Sequence, residues 1–116
     1  MPRRHWRLRV TDILECIDST RQYVAGLDFD SFAADPRTVK AVLRDLTVIG
    51  EAAVNVPEWL VTRRPEIPWR DMRDMRNVVV HEYFGTDLRI IWDTVCDNLP
   101  PLVDPLRRLL EEEPED

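Results

Sequence analysis

The dipeptide Asp35-Pro36 and the apolar stripe that follows it constrain this chain more than any other feature. Aspartate before proline suits the cap and first turn of a helix: the carboxylate accepts from N–H groups that have no partner there, and proline has no N–H to leave unpaired. Val39, Val42, Leu43, Leu46, Ile49 and Ala53 then recur at helical spacing and form one continuous face. Such a face needs partners.

Val10, Ile13, Leu14, Ile17 and Val24 predict a first amphipathic helix from about residue 7 to 25, stopped by Gly26. The segment Leu27 to Asp35 is turn-rich, with room for one short helical turn at Asp30-Ser31-Phe32. Pro57, Pro65 and Pro68 divide the middle of the chain and leave space for a short helical piece at Glu58 to Thr62. Pro68 opens a third helix, Trp69 to about Phe84, with Met72, Met75 and Val79 facing inward and Gly85 ending it. Thr86 or Asp87 caps a fourth helix carrying Leu88, Ile91, Trp92, Val95, Cys96 and Leu99. A fifth follows Pro100-Pro101 with Leu102, Leu106, Leu109 and Leu110. No strand pattern or internal repeat is present. The expectation is an all-α, antiparallel bundle of four to five helices in a single domain, residues 1–110. The acidic run Glu111-Glu112-Glu113-Pro114-Glu115-Asp116 is expected to be a frayed, solvated tail.

Composition agrees. With 116 residues, 44% hydrophobic, 33% charged and only 3 Gly, the chain fits one soluble helical domain better than a sandwich or barrel. No apolar stretch approaches a membrane span, and the basic N-terminus runs into Val10-Thr11-Asp12-Ile13 rather than a signal core, so a cytoplasmic protein is expected. Cys16 and Cys96 fall at apolar-periodic positions and read as two reduced core residues. Two His and no Cys-x-x-Cys pair argue against a zinc site. The four scattered tryptophans, Trp6, Trp59, Trp69 and Trp92, read as packing residues rather than base-stacking platforms.

A net charge of -6 argues against broad adhesion to nucleic acid but leaves room for a local basic cleft. Arg63, Arg64, Arg70, Arg73 and Arg76 face only Glu66, Asp71 and Asp74 within one stretch of sequence. That stretch leads into Arg76-Asn77-Val78-Val79-Val80-His81-Glu82-Tyr83, the run with the most chemistry in it. Arginine is permanently charged and grips phosphate with a fork, histidine exchanges protons near neutral pH, and tyrosine offers a hydroxyl. Together they suit phosphodiester chemistry that needs no metal or other cofactor. On an ideal helix Arg76 and Tyr83 lie within about 20° of one face, whereas His81 is about 140° round from Arg76. Convergence therefore needs the long arginine side chain, loosening near Gly85, or a second copy of the helix across a twofold axis. The same residues also fit an ordinary helix. His81 is a favourable cation near a C-terminus, Arg76 can pair with Asp71, Asp74 or another acid, and Asn77 can bond His81 or water. Val78, Val79 and Val80 are poor helix formers, which suggests burial in a core or interface.

Arg76-Asn77, His81 and Tyr83 resemble the signature of the HepT-like branch of the HEPN proteins: Arg, four to six residues, His, one residue, Tyr, with Asn after the Arg. Asp12-Ile13-Leu14-Glu15, Leu46-Thr47-Val48-Ile49-Gly50-Glu51-Ala52, Pro65-Glu66-Ile67-Pro68-Trp69 and Tyr83-Phe84-Gly85 with Asp87 are similar to the same family, in order along nearly the whole chain. The resemblance implies a helical homodimer whose signature helices meet to form a ribonuclease cleft. With it, Arg76 and His81 become the catalytic pair and Asn77 an orienting residue; Arg44, Glu51 and Arg73 are further candidates around the cleft, and the sequence does not separate them from ordinary helix ion pairs. It further implies a toxin paired with a minimal nucleotidyltransferase antitoxin that transfers AMP to Tyr83, adding bulk and negative charge where RNA must enter. Glu82, at the variable position of the signature, would weaken RNA binding if it faced the cleft. The low basicity favours a defined structured RNA such as tRNA over indiscriminate RNA. Two other classes stay open at this point: a catalytically silent HEPN partner or substrate of the nucleotidyltransferase, and a nucleotide-binding regulatory bundle.

Overall fold

The computed structural model describes residues 5–84 and 87–114, and over 78–84 it describes the backbone alone. Among the described residues the chain is all helical. Helix α1 (Trp6–Val24) begins at His5, whose Nδ1 accepts from the Arg7 N–H at 3.1 Å. It stops just before Gly26, whose φ of +78° is the left-handed conformation that side chains disfavour. Asp28 caps the short α2 (Phe29–Ala33) by accepting from the Ser31 N–H at 2.8 Å. Asp35 caps α3 (Pro36–Val54), accepting from the Thr38 hydroxyl at 2.7 Å and its N–H at 3.3 Å, with Pro36 in the first turn as expected. The Thr38 hydroxyl bond first, then its N–H, holds the Asp35 carboxyl below its ordinary pKa. The cap therefore contributes fully above the ordinary carboxylate range and is lost as pH falls through the depressed value.

After α4 (Glu58–Arg63) comes α5 (Trp69–Phe84), and Asp87 caps α6 (Leu88–Asp93) through the Arg89 N–H at 3.2 Å. The expected fourth helix is not continuous. It passes from α6 into a π-helical turn, Thr94–Asn98, closed by the Leu99 N–H donating to the Thr94 carbonyl at 3.0 Å. Pro100 and Pro101 bring no N–H to continue an ordinary ladder, so the helix ends in this wider turn and a 3-10 turn, Pro100–Leu102, leads into α7 (Val103–Glu112). Val95 and Leu99 stay buried while Cys96 turns outward. That corrects the expectation of two core cysteines. Only Cys16 is inside, and burial, followed by the nearby Asp45, pushes its thiol up to about 12.

Helix α3 occupies the centre, packed along α1 on one side and α5 on the other. Its buried stripe of Val39, Val42, Leu43, Leu46, Ile49, Ala52 and Ala53 meets Val10, Ile13 and Ile17 of α1 and Trp69, Met72 and Met75 of α5 in one core. Each fully buried side chain of this kind contributes about 1.5–3 kcal/mol. Phe32 of α2 is fully buried against Trp92 of α6, ring centroids 5.1 Å apart, which ties the α1–α3 connection to the second half of the chain. Of the tryptophans, Trp6 and Trp69 are buried and Trp92 half-buried, whereas Trp59 is exposed beneath the Arg63 guanidinium. No described helix is long and apolar enough to cross a membrane.

Over its described residues, 111–114, the acidic run departs from its expected form. Glu111 and Glu112 lie in the last turn of α7, and Glu113 is buried. Arg64 donates from Nε to Glu113 Oε2 at 2.9 Å and from Nη1 to Glu112 Oε1 at 2.6 Å, and its Nη2 makes an ion-pair contact with the same Glu113 oxygen at 2.8 Å. Arg7, from the start of α1, donates to the Glu113 carbonyl at 3.0 Å and to the Leu110 carbonyl, two acceptors at the end of α7. A run of acids reads as solvated when seen alone, but here basic residues from two other parts of the chain close over it.

Candidate active site

Helix α5 carries the signature run, and its charge is segregated around the axis. Arg73 and Arg76 are turned toward the C-terminal half of α3, whereas Asp71 and Asp74 line a groove of about 500 Å³ together with Met72, Met75 and Asp97. The side lined by Asp71, Asp74 and Asp97 repels a phosphate, whereas on the α3 side each arginine stands beside one glutamate.

The arginine side depends on Gly50. A Cβ built at that position would lie 2.6 Å from Arg76 Cγ and 3.0 Å from the Arg76 backbone nitrogen. Glycine thus lets α5 come close enough for the Arg76 stem to cross the bare backbone of α3. At the end of that stem Nη1 donates to Glu51 Oε2 at 2.6 Å, in an ion pair exposed to about half on both partners. Glu51 is itself tied to its own helix: the Asn55 amide donates to its carbonyl at 2.8 Å and reaches its Oε1 at 3.5 Å. One turn before Arg76, Arg73 donates from Nε to the Ala53 carbonyl at 3.1 Å, closing the C-terminus of α3, and from Nη2 to Glu58 at 3.0 Å. These contacts fix an antiparallel register in which residue 50 faces 76 and residue 53 faces 73.

Gly50→Ala tests that close approach. Alanine has the better helix propensity by about 0.8–1.0 kcal/mol, but a contact of 3.0 Å with backbone forces the two helices apart, an overpacking cost of about 1–3 kcal/mol. The expected net effect is a loss of about 1 kcal/mol in denaturant unfolding, and an alanine variant at least as stable as the parent would show that the helices are free to separate.

Of the sequence-derived candidates, Arg76, Glu51 and Arg73 are brought together on the α3–α5 face. Asn77 follows Arg76 on α5 and is exposed. His81 and Tyr83 stand on the C-terminal part of the α5 backbone, and their side chains, with those of Glu82 and Val78 to Val80, lie outside the described residues. Arg44 is not part of this group. Its exposed guanidinium pairs with Asp45 at 3.3 Å beside the groove between α1 and α3, where Cys16 and Asp45 meet.

Two buried acids escaped the sequence reading. Asp45 sits three residues after Val42 and four before Ile49, so the spacing of the apolar stripe already placed it inward. Burial raises its carboxyl pKa, and the neighbouring Arg44 partly offsets the rise. Glu113 carried no such signal, because its partners, Arg63 and Arg64, are far away in sequence.

The family model described as Ribonuclease HepT-like matches residues 13–109. The chain belongs to the HepT-like family. The matched span holds α3, α5 and every residue of the signature, so the close approach at Gly50 and the Arg76–Glu51 pair are features of a HepT-like domain. A Thermococcus cleftensis protein, provisionally named as ribonuclease HepT, is 40% identical over 98 residues, covering 84% of this chain and 89% of the relative. A Methanocaldococcus jannaschii protein with a provisional RNase name is 37% identical over 112 residues, covering 97% and 93%. A third, from Caldanaerobacter subterraneus subsp. tengcongensis and named in the same way, is 35% identical over 101 residues, covering 87% and 90%. No solved structure gives a significant match to the HepT-like chain.

Proposed function

We propose that this HepT-like protein is an endoribonuclease whose chemistry needs no metal, with Arg76 and His81 as its catalytic pair. The observation that carries the proposal is the Arg76-Asn77…His81-x-Tyr83 signature on α5, within a chain whose relatives are named as RNases. His81 acts as the general base or acid on the ribose 2'-hydroxyl or the leaving oxygen. Arg76 neutralises charge that develops on the phosphate, and Asn77 orients the site. The Arg76 guanidinium is half-exposed on the α3-facing side of α5, where a phosphate can reach it. The product on RNA is a cyclic phosphate, and DNA, without the 2'-hydroxyl, is resistant.

Arg76 and His81 are about 140° apart on one helix, so the proposed enzyme is a homodimer in which two copies of α5 face each other. The proposal extends to a toxin whose partner is a minimal nucleotidyltransferase. AMP added to Tyr83 would place a phosphate, with its negative charge, in a cleft that must admit RNA.

The test uses purified protein, expressed without a partner and incubated with total cellular RNA in EDTA. The Arg76→Ala/His81→Ala double variant serves as background. Cleavage by the parent alone, leaving 2',3'-cyclic phosphate ends on RNA and sparing DNA of the same sequence, is the expected result. Intact RNA from a folded, unmodified dimer would rule the ribonuclease out.

A further inference from the structure

A guanidinium carries five N–H donors around a flat fork, so where it is held decides which edge it offers to a phosphate. The Arg76 side chain is held at two points. Its stem crosses α3 at Gly50, where a Cβ would come within 2.6 Å of Cγ, and its Nη1 is bound by Glu51 Oε2 at 2.6 Å. The Glu51 carboxylate has a second neighbour in the Asn55 amide, which reaches its Oε1 at 3.5 Å while donating to the Glu51 backbone carbonyl at 2.8 Å.

This pair has little to do with stability. Its members are 43% and 53% exposed, and ion pairs at such sites contribute about 0–1 kcal/mol. Arg73 makes the contrast clear. It closes the end of α3 through the Ala53 carbonyl and reaches Glu58, a structural task that Arg76 does not share. From the Glu51–Arg76 contact, with Gly50 beneath it, we infer that Glu51 is a positioning residue for RNA cleavage. It holds the Nη1 edge of Arg76 and leaves the remaining edge turned toward the incoming phosphate. The inference rests on the ribonuclease reading and adds to it a residue outside the Arg, Asn, His, Tyr signature.

A simpler role for Glu51 has the opposite sign. If Glu51 were only a negative charge near the cleft, neutralising it would remove repulsion, tighten RNA binding and raise kcat/KM. If it positions Arg76, the same change loosens the guanidinium, and kcat falls about 10- to 100-fold while KM stays level or improves.

The experiment compares the parent, Glu51→Gln, Glu51→Asp and Arg76→Ala on one RNA, with steady-state and single-turnover rates. A lowered kcat in Glu51→Gln, an intermediate value in Glu51→Asp and unchanged thermal unfolding support the inference. An unchanged or raised kcat in Glu51→Gln overturns it. Nitrogen-15 NMR of the arginine side chains gives a second readout that needs neither activity nor RNA. Resolved, slowly rotating Nη signals from Arg76 in the parent, collapsed in Glu51→Gln, are expected. Collapsed signals already in the parent overturn the inference. A parent that cleaves no RNA but keeps the resolved Arg76 signals removes the ribonuclease reading, and the role in cleavage with it, while leaving Glu51 as the group that orients Arg76.

Discussion

Arg76→Ala and His81→Ala are each expected to lower RNA cleavage by about 10²–10³-fold, and the double variant by little more than either single one. The size follows from the roles. Loss of one group that stabilises charge in the transition state costs about 10²–10³ in rate, and loss of a general acid or base costs a similar amount. Non-additivity follows because the two groups act in one step: once the proton cannot move, stabilised charge on the phosphate has little left to accelerate. Arg76→Lys separates charge from shape. It keeps the cation but loses the fork, so its expected rate lies between those of the parent and Arg76→Ala. Stability is the control. The Arg76–Glu51 pair is half exposed, so Arg76→Ala is expected to shift unfolding by no more than about 1 kcal/mol. Rates measured on protein of verified fold decide the matter. Parental activity in Arg76→Ala would remove Arg76 from the mechanism.

How much of this was legible in the sequence varies with the range of the interactions. The caps at Asp35 and Asp87, the stop at Gly26 and the stripe of α3 all arise within a few residues, and the sequence exposes such features directly, although the short helix expected at Asp30 begins at Phe29 under an Asp28 cap. Cys96 was misplaced because a period of 3.6 residues was carried across Thr94–Asn98, where the helix widens to a π turn before two prolines. One residue of slip is enough to turn a side chain from core to solvent. At the candidate site, the signature on α5 marked Arg76, and Glu51 was one of three charged candidates around the cleft, but the sequence did not give the contact between them. That contact depends on the antiparallel register of α3 and α5 and on a glycine that permits close approach, and both are properties of the folded pair of helices. Gly50 stood in the quoted segment as one of only 3 glycines in the chain, placed inside an otherwise strong helix where it costs stability. A glycine spent in that way marks a position where another backbone comes close.

The largest effect on stability is expected at Arg64, a residue with no part in the proposed chemistry. Glu113 has a side chain only 3% exposed, and Arg64 holds its Oε2 by a hydrogen bond from Nε at 2.9 Å and an ion-pair contact from Nη2 at 2.8 Å. Arg63 reaches the other carboxylate oxygen at 3.3 Å, but its own side chain is 57% exposed and offers one long contact in place of a fork. Arg64→Ala therefore leaves a buried carboxylate with a single weak partner, and breaking a buried pair in this way costs about 3–5 kcal/mol when the site cannot relax. Here it can relax in part, because Glu113 lies just past the end of α7 and can turn outward, so the expected loss is about 2–3 kcal/mol in denaturant unfolding. Glu113→Gln should cost less. It removes the buried charge, keeps the shape, and leaves Arg64 paired with Glu112 at 2.6 Å. The double variant Arg64→Ala/Glu113→Gln should then be more stable than Arg64→Ala alone, since the uncompensated charge is gone. Equal stability of the two would show that Glu113 leaves its pocket at no cost. The distinction bears on the whole bundle, because Arg64 lies between α4 and α5, Glu113 follows α7, and Arg7 of α1 closes the same corner from above. Separation at that corner would free α7 from α1 and loosen the N-terminal end of α5, the helix on which the proposed catalytic pair stands.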